Sequence, residues 1–193
     1  MILCSLAIFA LIPFGNKIQK IISDNLGKTF FIYFILAVLG FVFIGLIYFL
    51  IYKLKIRSLP NYIWLLILTF LYTYFTLKMR NSPVEVTHFL EYGLLSIFIF
   101  RALNHHIKDK TIYFSAAFII LLIGSFDEII QWIVPNRIWN FKDVGLNVIS
   151  GGLIQLAIWK VVEPKSISEK INPKSLRIFS SLFACCLIIL DYV

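Results

Sequence analysis

The sequence predicts an all-α protein, a polytopic transmembrane bundle of six to seven helices. The 193 residues are 60% hydrophobic and only 15% charged, and their mean hydropathy is +0.90. A water-soluble domain is roughly half apolar, with about a quarter of its residues charged. The apolar residues also form long continuous runs instead of the alternating pattern of a membrane β-strand.

Seven apolar runs follow one another along the chain, with polar gaps between them. They cover residues 2–14, 29–52, 61–77, 84–103, 111–134, 143–162 and 176–190. The first and the last are short for a helix that needs about 20 residues to cross a bilayer. We therefore expect six or seven spans in a single integral membrane domain, residues 1–193, with a core at about 84–162.

Local signals mark where the runs begin and end. The first run contains Pro13 near its end, and the uncharged second run stops at Lys53. Pro60 and Pro83 precede or open the third and fourth runs, since proline fits the first turn of a helix. Asp143 is expected to cap the sixth helix at its N-terminus.

The basic side chains give the chain a formal net charge of +8, but they lie in the short gaps between apolar runs. This placement is typical of orientation signals and of contacts with lipid headgroups. We therefore expect membrane lipids as partners and no nucleic acid. With seven spans and the N-terminus inside, 11 Lys and Arg side chains fall on the inner side and 7 on the outer side.

No cofactor is predicted. The chain has three cysteines, without the spacing of metal ligands, and it contains neither a GxGxxG nor a P-loop motif. An odd number of cysteines also gives no disulfide framework.

Polar side chains concentrate at one end of three consecutive predicted helices. They are His88, Glu91 and Tyr92 in the fourth run, Asp127, Glu128 and Gln131 in the fifth, Arg137 in the next loop, and Asp143 and Asn147 in the sixth. Successive spans run in opposite directions, so these positions meet at one face of the membrane, which the charge bias makes the outer face. Within each helix they are three or four residues apart and share a stripe.

Charges at this depth need partners. One charged side chain at mid-bilayer costs roughly 2.5–3.5 kcal/mol even on the lenient insertion scale. Three or four of them without partners would cost on the order of 10 kcal/mol, which is comparable to the stability of a whole domain. We therefore expect the group to be paired, protonated or solvated in a cavity.

Three interpretations of this group remain open. In the first it is a site for an outer-leaflet ligand, because a carboxylate and an imidazole can act as general base and acid. The candidate catalytic residues are then His88, Glu91, Asp127 and Glu128, and the candidate ligand-binding residues are Tyr92, Gln131, Arg137, Asp143 and Asn147. In the second it is a structural clamp that holds three helices together. In the third it belongs to a metal-dependent membrane hydrolase, in which His88, Glu91, Asp127 and Glu128 could supply nitrogen and oxygen ligands, although no HExxH motif is present.

Two glycines in the sixth run, Gly151 and Gly152, predict close packing of that helix against its neighbours. Trp132 and Trp139 flank the loop between the fifth and sixth runs. This is the position of the aromatic residues that anchor helices at the membrane surface.

The polar residues resemble the motifs of the VanZ-like family of small bacterial and archaeal membrane proteins. The resemblance lies in His88-Phe89 with Glu91 and Tyr92, Asp127-Glu128 with Gln131, Pro135 with Arg137, and Asp143 with Asn147 and Gly151, over about 84–160. The family is named for a member linked to teicoplanin resistance. The resemblance implies a protein of the cytoplasmic membrane of a prokaryote that binds an amphiphilic, lipid-linked or glycopeptide-type ligand at the outer face. Whether it also modifies that ligand, and in which oligomeric state, the sequence leaves open.

Overall fold

The computed structural model describes residue 30, residues 32–133 and residues 141–191, and this part of the chain forms six helices. They are α1 (Ile32–Lys53), α2 (Leu59–Lys78), α3 (Pro83–Leu103), α4 (Thr111–Ile133), α5 (Phe141–Val162) and α6 (Pro173–Asp191). Within these ranges the only β-type pairing is an isolated bridge between Asp109 and Ser168. The predicted all-α class is confirmed. The run predicted at 2–14 lies outside the described residues.

Five of the described helices, α1 to α5, are long and apolar enough to cross a membrane. Large apolar side chains cover their outward faces; Phe41 on α1 is 80% exposed and Phe70 on α2 is 71% exposed. Water-soluble proteins rarely expose continuous apolar patches larger than roughly a few hundred Å². The chain is therefore a membrane-embedded protein. The described residues contain five candidate spans, against the six or seven that the sequence predicts.

Proline residues help to fix the starts of α2 and α3. Pro60 lies in the first turn of α2, and Pro83 is the first residue of α3. A proline ring pre-sets the helical φ angle, and its missing N–H would have no partner in the first turn. Both starts agree with the positions that the sequence predicted.

Helix α5 lies at the centre of the bundle and packs against α2, α3 and α4. A Cβ atom on Gly151 would clash with the side chain of Ile120 on α4, so this glycine allows the two helices to approach closely. On the other side, the Ser150 hydroxyl donates a hydrogen bond to the carbonyl oxygen of Phe89 on α3. Such contacts through small residues are common between membrane helices. The packing role predicted for Gly151 is confirmed, whereas that of Gly152 is wrong, because a Cβ there would meet no atom within 4 Å.

Helix α6 packs along α4 through aromatic rings. The ring of Phe118 on α4 lies 5.5 Å from that of Phe179 and 5.6 Å from that of Phe183, measured between centroids. The run predicted at 176–190 is thus part of a helix of 19 residues that begins at Pro173. Aromatic pairs at these separations add to the free energy of simple area burial. They therefore hold α6 on the outside of α4.

The last turn of α5, Ile158–Val162, is a π-helical turn that departs from regular α-helical hydrogen bonding. Asn61 at the start of α2 supplies hydrogen bonds to this turn. Its side-chain amide donates to the carbonyl oxygens of Val161 at 3.1 Å and Lys160 at 3.3 Å. Buried backbone carbonyls need hydrogen-bond donors. The beginning of α2 is therefore fixed to the end of α5.

Candidate functional site

The polar residues that the sequence singles out lie at one end of α3, α4 and α5. They are His88 and Glu91 in the first half of α3 and Tyr92 near its middle, Asp127 and Glu128 in the last third of α4, and Asp143 and Asn147 in the first two turns of α5. Gln131 belongs to α4, but its side chain is not among those described. Arg137 and Pro135 lie outside the described residues, and so does Trp139.

Three helices meet around Tyr92. Its hydroxyl donates a hydrogen bond to Asp127 Oδ2 at 3.2 Å, which joins α3 to α4. Gly124, one turn before Asp127, lies beside α5; a Cβ built on it would be 3.6 Å from Asn147 Nδ2 and 3.8 Å from Tyr92 Cε1. We call Tyr92, Asp127, Glu128 and Asn147 the buried polar cluster.

This buried polar cluster is closed to the surroundings. Tyr92 is completely buried, and Asp127, Glu128 and Asn147 are 1%, 4% and 3% exposed. Two adjacent acidic residues inside an apolar bundle are expensive unless other groups share or neutralise their charge. Buried ionisable residues in membrane helices are by default a hypothesis of function, and the clamp interpretation predicts the same burial.

A second pair lies beside the cluster and is partly open. His88 Nδ1 is 3.4 Å from Glu91 Oε2, and the two side chains are 19% and 28% exposed. The two residues are three apart on α3, which is the spacing that brings helical side chains together. The structure thus places the carboxylate of Glu91 beside the imidazole of His88. The site thus has a half-open outer pair and a closed inner cluster.

The predicted capping role of Asp143 is wrong. The described part of α5 already begins at Phe141, so Asp143 lies inside the first helical turn and not in front of it. An acidic side chain in the first turn still interacts favourably with the positive end of the helix dipole. Asp143 therefore stabilises the start of α5 from a different position than the sequence indicated.

Within residues 32–133 and 141–191, no three His, Cys, Asp or Glu side chains are grouped as they would be around a metal ion. His105 and His106 are exposed in the turn after α3, at the opposite end of that helix from His88.

Sequence reasoning did not identify the hydrogen bonds between α2, α3 and α5. The Tyr72 hydroxyl on α2 lies 3.0 Å from both the carbonyl oxygen of Phe89 and Ser150 Oγ. Gly93 makes room for it, because a Cβ at this position would clash with the hydroxyl. The sequence offers no signal for Tyr72, which is one of nine tyrosines in a chain rich in aromatic residues.

A second missed contact extends the polar stripe of α5. Gln155 Nε2 donates to Ser96 Oγ at 2.7 Å and to the Ser96 carbonyl oxygen at 3.0 Å. Ser96 Oγ in turn donates to the carbonyl oxygen of Gly151 at 2.9 Å. Gln155 is four residues beyond Gly151 and eight beyond Asn147, so the repeat of four was a signal that could have found it.

An apolar cavity of about 210 Å³ lies between α1, α2, α3 and α5. Its walls are almost entirely hydrocarbon, and Tyr72, Leu90 and Gly93 belong to them. From α3, the helix that carries the half-open pair, the cavity is lined by Leu90 and Gly93 and by neither His88 nor Glu91. A cavity of this composition suits an aliphatic chain.

The fold and the site together define a class: an integral membrane bundle of α-helices with buried acidic side chains at one end. Searches against protein-family models, curated proteins and solved structures find no match for this chain. The resemblance to the VanZ-like family therefore stays a prediction from the residues themselves.

Proposed function

We propose that this protein is a VanZ-like membrane protein of the prokaryotic cell envelope that binds an amphiphilic, lipid-linked or glycopeptide-type ligand. In this proposal the ligand approaches from the outer face of the cytoplasmic membrane. Two further segments, 2–14 and α6, complete the six or seven spans around the five helices described above. Arg137, in the loop after α4, takes part by holding an anionic group of the ligand with its planar guanidinium.

The half-open His88–Glu91 pair carries the proposal. The pair combines hydrogen-bond donors with a carboxylate acceptor, and its partial exposure gives a ligand access that the closed cluster lacks. An ionisable pair at the end of membrane helices is costly to maintain. Recognition of a polar headgroup gives a reason for that cost, because hydrogen bonds to charged groups are among the stronger polar contacts.

The apolar cavity supports an amphiphilic ligand in particular. The cavity lies between α1, α2, α3 and α5 along hydrocarbon walls, and Leu90 lines it from α3, the helix that carries His88 and Glu91. A ligand with its polar end at His88 and Glu91 would place an aliphatic chain in this space. The buried polar cluster would then hold the binding residues in position, because the Tyr92–Asp127 hydrogen bond fixes α3 against α4.

Binding to the purified protein tests the proposal. The protein would be reconstituted in lipid nanodiscs and titrated with fluorescent teicoplanin and with a polyprenyl-diphosphate-linked saccharide. Each of the variants His88→Gln and Glu91→Gln should weaken binding by about tenfold or more, which corresponds to roughly 1.5–3 kcal/mol for a hydrogen bond to a charged group. Their thermal unfolding should stay unchanged. His106→Gln, an exposed histidine at the other end of α3, is the matched control and should bind like the wild type.

Two outcomes of this binding experiment would contradict the proposed function. If neither probe binds saturably, or if His88→Gln and Glu91→Gln bind both probes as tightly as the wild type, the proposed function is wrong. The minimum inhibitory concentration of teicoplanin for a host that expresses each variant provides a second readout. It should fall with the same variants that lose binding.

A non-catalytic scaffold is the second candidate, and the closure of the buried polar cluster favours it. Tyr92→Phe removes the hydrogen bond to Asp127 and should lower the free energy of unfolding by about 1–3 kcal/mol, whereas Tyr74→Phe at an exposed site should not. If His88→Gln and Glu91→Gln also lose stability in proportion to activity, the whole group is a clamp. If they lose binding at full stability, the scaffold interpretation fails.

A further inference from the structure

The end of the bundle opposite the buried polar cluster carries a cleft of about 350 Å³ between the start of α4, the end of α5 and the linker to α6. Lys110, Lys160 and Lys165 line it, together with the aromatic side chains of Tyr113 and Trp159. We call these five residues the basic cleft. It has no residue in common with the site described above.

The floor of the basic cleft is aromatic and holds two of the lysines. The rings of Tyr113 and Trp159 are stacked, with centroids 5.3 Å apart and an angle of 9° between their planes. Lys160 Nζ lies 4.7 Å from the centroid of Trp159, and Lys110 Nζ lies 5.8 Å from it. Cations at such distances are attracted to the ring face. Two ammonium groups are therefore already positioned before any ligand arrives.

Two glutamates also line the cleft, so three lysines against two glutamates leave one net positive charge. Glu169 forms an ion pair with Lys110, but its side chain is 81% exposed. Exposed ion pairs contribute little to stability, so an incoming anion could take the place of this carboxylate at low cost. Glu163 is the other acidic group, and its charge opposes an anion.

The backbone beside the cleft departs from regular α-helical geometry. Both Trp159 and Lys160, which follow one another in sequence, line the cleft from the π-helical turn at the end of α5. Glu163 follows with φ 45°, a left-handed conformation that non-glycine residues rarely adopt. Single π-helical turns within helices occur frequently at functional sites.

The surroundings of the cleft indicate a lipid and not a free anion. The cleft lies at the ends of membrane-spanning helices, where phospholipid headgroups are found. From its aromatic floor an apolar path continues along the outside of the protein, since Phe114 packs edge-on against both Trp159 and Phe179 and is 53% exposed. A free phosphate would have no use for this path, whereas an acyl chain would follow it.

We propose that the basic cleft binds the phosphate-bearing headgroup of an anionic phospholipid, with Lys160 and Lys165 contacting the phosphate and an acyl chain lying along Phe114. Basic pockets between membrane helices on the side that carries most Lys and Arg residues are known to bind such headgroups. This proposal does not depend on the function proposed for the other end of the bundle.

Titration of the full-length protein in detergent with short-chain lipids tests this site. Dioctanoyl-phosphatidylglycerol should bind saturably, and dioctanoyl-phosphatidylcholine should bind more weakly. Lys160→Gln and Lys165→Gln should each weaken binding of the glycerol lipid about fivefold, the factor that corresponds to roughly 1 kcal/mol per basic residue at an anionic surface. Glu163→Gln should tighten it, because it removes a like charge. Lys174→Gln, which takes one positive charge from the start of α6, is the matched control.

Three results would overturn the proposal. The first is equal binding of the two lipids, which would show that the headgroup charge is not recognised. The second is an equal loss in Lys174→Gln, which would show only general attraction to a basic surface. The third is inorganic phosphate that binds as tightly as dioctanoyl-phosphatidylglycerol, which would make the cleft a site for a free anion. A gain in Glu163→Gln needs a folded protein, so it separates the site from any damage to the fold.

Discussion

At the scale of single residues, Asp109 shows how one buried carboxylate joins distant parts of the chain. It is 1% exposed and lies in the turn between α3 and α4. Its Oδ1 accepts hydrogen bonds from the Thr111 backbone N–H at 3.0 Å and from the Thr111 hydroxyl at 2.6 Å, and its Oδ2 accepts one from the Asn172 N–H at 2.9 Å. The start of α4 and the start of α6 are thus held by the same side chain.

These hydrogen bonds also set the charge state of Asp109. Burial by itself would raise the pKa of this carboxyl. The hydrogen bonds from Thr111, Asn172 and Ser175 favour the ionised form more strongly, so the pKa lies below the ordinary value of 3.8. A group whose pKa is lower in the folded state stabilises the fold at higher pH. Its contribution is fully present above pH 3.8 and is lost as the pH falls through the lowered pKa.

Asp109→Asn should therefore be destabilising in a manner that depends on pH. At pH 7 the variant should lose about 1–3 kcal/mol of unfolding free energy, because an amide nitrogen cannot accept the hydrogen bond from Asn172. Unfolding in detergent, measured between pH 7 and pH 3, should show the difference from wild type shrinking once the pH drops below 3.8. Glu169→Gln, at an exposed carboxylate, is the control and should show no such trend. A difference that stays constant over the whole range would contradict this account.

At the scale of secondary-structure elements, α5 organises the bundle because different faces of it meet different helices. Gly151 faces Ile120 of α4, while Ser150 and Gln155 make hydrogen bonds to α3. Gly152 faces open space. Two adjacent glycines therefore have unequal roles, and the reason is only the rotation of the helix about its axis.

Paired alanine substitutions test this difference. Gly151→Ala should destabilise the protein by about 1–3 kcal/mol, because the new methyl group overlaps the Ile120 side chain in a packed interface. Gly152→Ala should be neutral or stabilising by up to about 1 kcal/mol, because alanine favours the helix over glycine. Thermal unfolding of the two variants in the same detergent gives the comparison, and each variant serves as the control of the other. Equal effects would mean that the Gly151–Ile120 contact does not limit the packing.

At the scale of the whole molecule, the two ends of the bundle differ in chemistry. One end brings together the buried polar cluster and the His88–Glu91 pair, and the other end carries the basic cleft and Asp109. The apolar exterior of the helices between them embeds the protein in a membrane. The distribution of Lys and Arg residues predicts that the basic end lies inside, since basic loops are retained in the cytoplasm.

Cysteine labelling checks this orientation. In a variant that lacks the native cysteines, Asn81→Cys lies in the turn before α3 and His106→Cys in the turn after it. A membrane-impermeant maleimide added to intact cells should label the cysteine at 81 and leave the cysteine at 106 unlabelled. Both positions should react in permeabilised cells, which is the control for accessibility. The opposite pattern would place the His88–Glu91 pair on the cytoplasmic side and would exclude an outer ligand.

The helices themselves were predictable because the signals that form them are local. Run length and composition placed α2, α3 and α4 close to their observed bounds, and Pro60 and Pro83 marked two of the starts. The alternation of spans also predicted that His88, Asp127 and Asn147 would lie at one end of the bundle. Each of these inferences depends only on residues near one another in sequence or on the direction of successive helices.

The sequence by itself thus determined an all-helical membrane protein and the end of the bundle at which its polar residues gather. Only the tertiary structure decided which carboxylates are buried, that Tyr92 is the partner of Asp127, that Gly151 and not Gly152 is packed, and that Asp109 reaches Asn172. The physical reason is that these contacts depend on how each helix is rotated about its axis and on which neighbour it faces. Both are set by packing between residues that lie far apart in the chain.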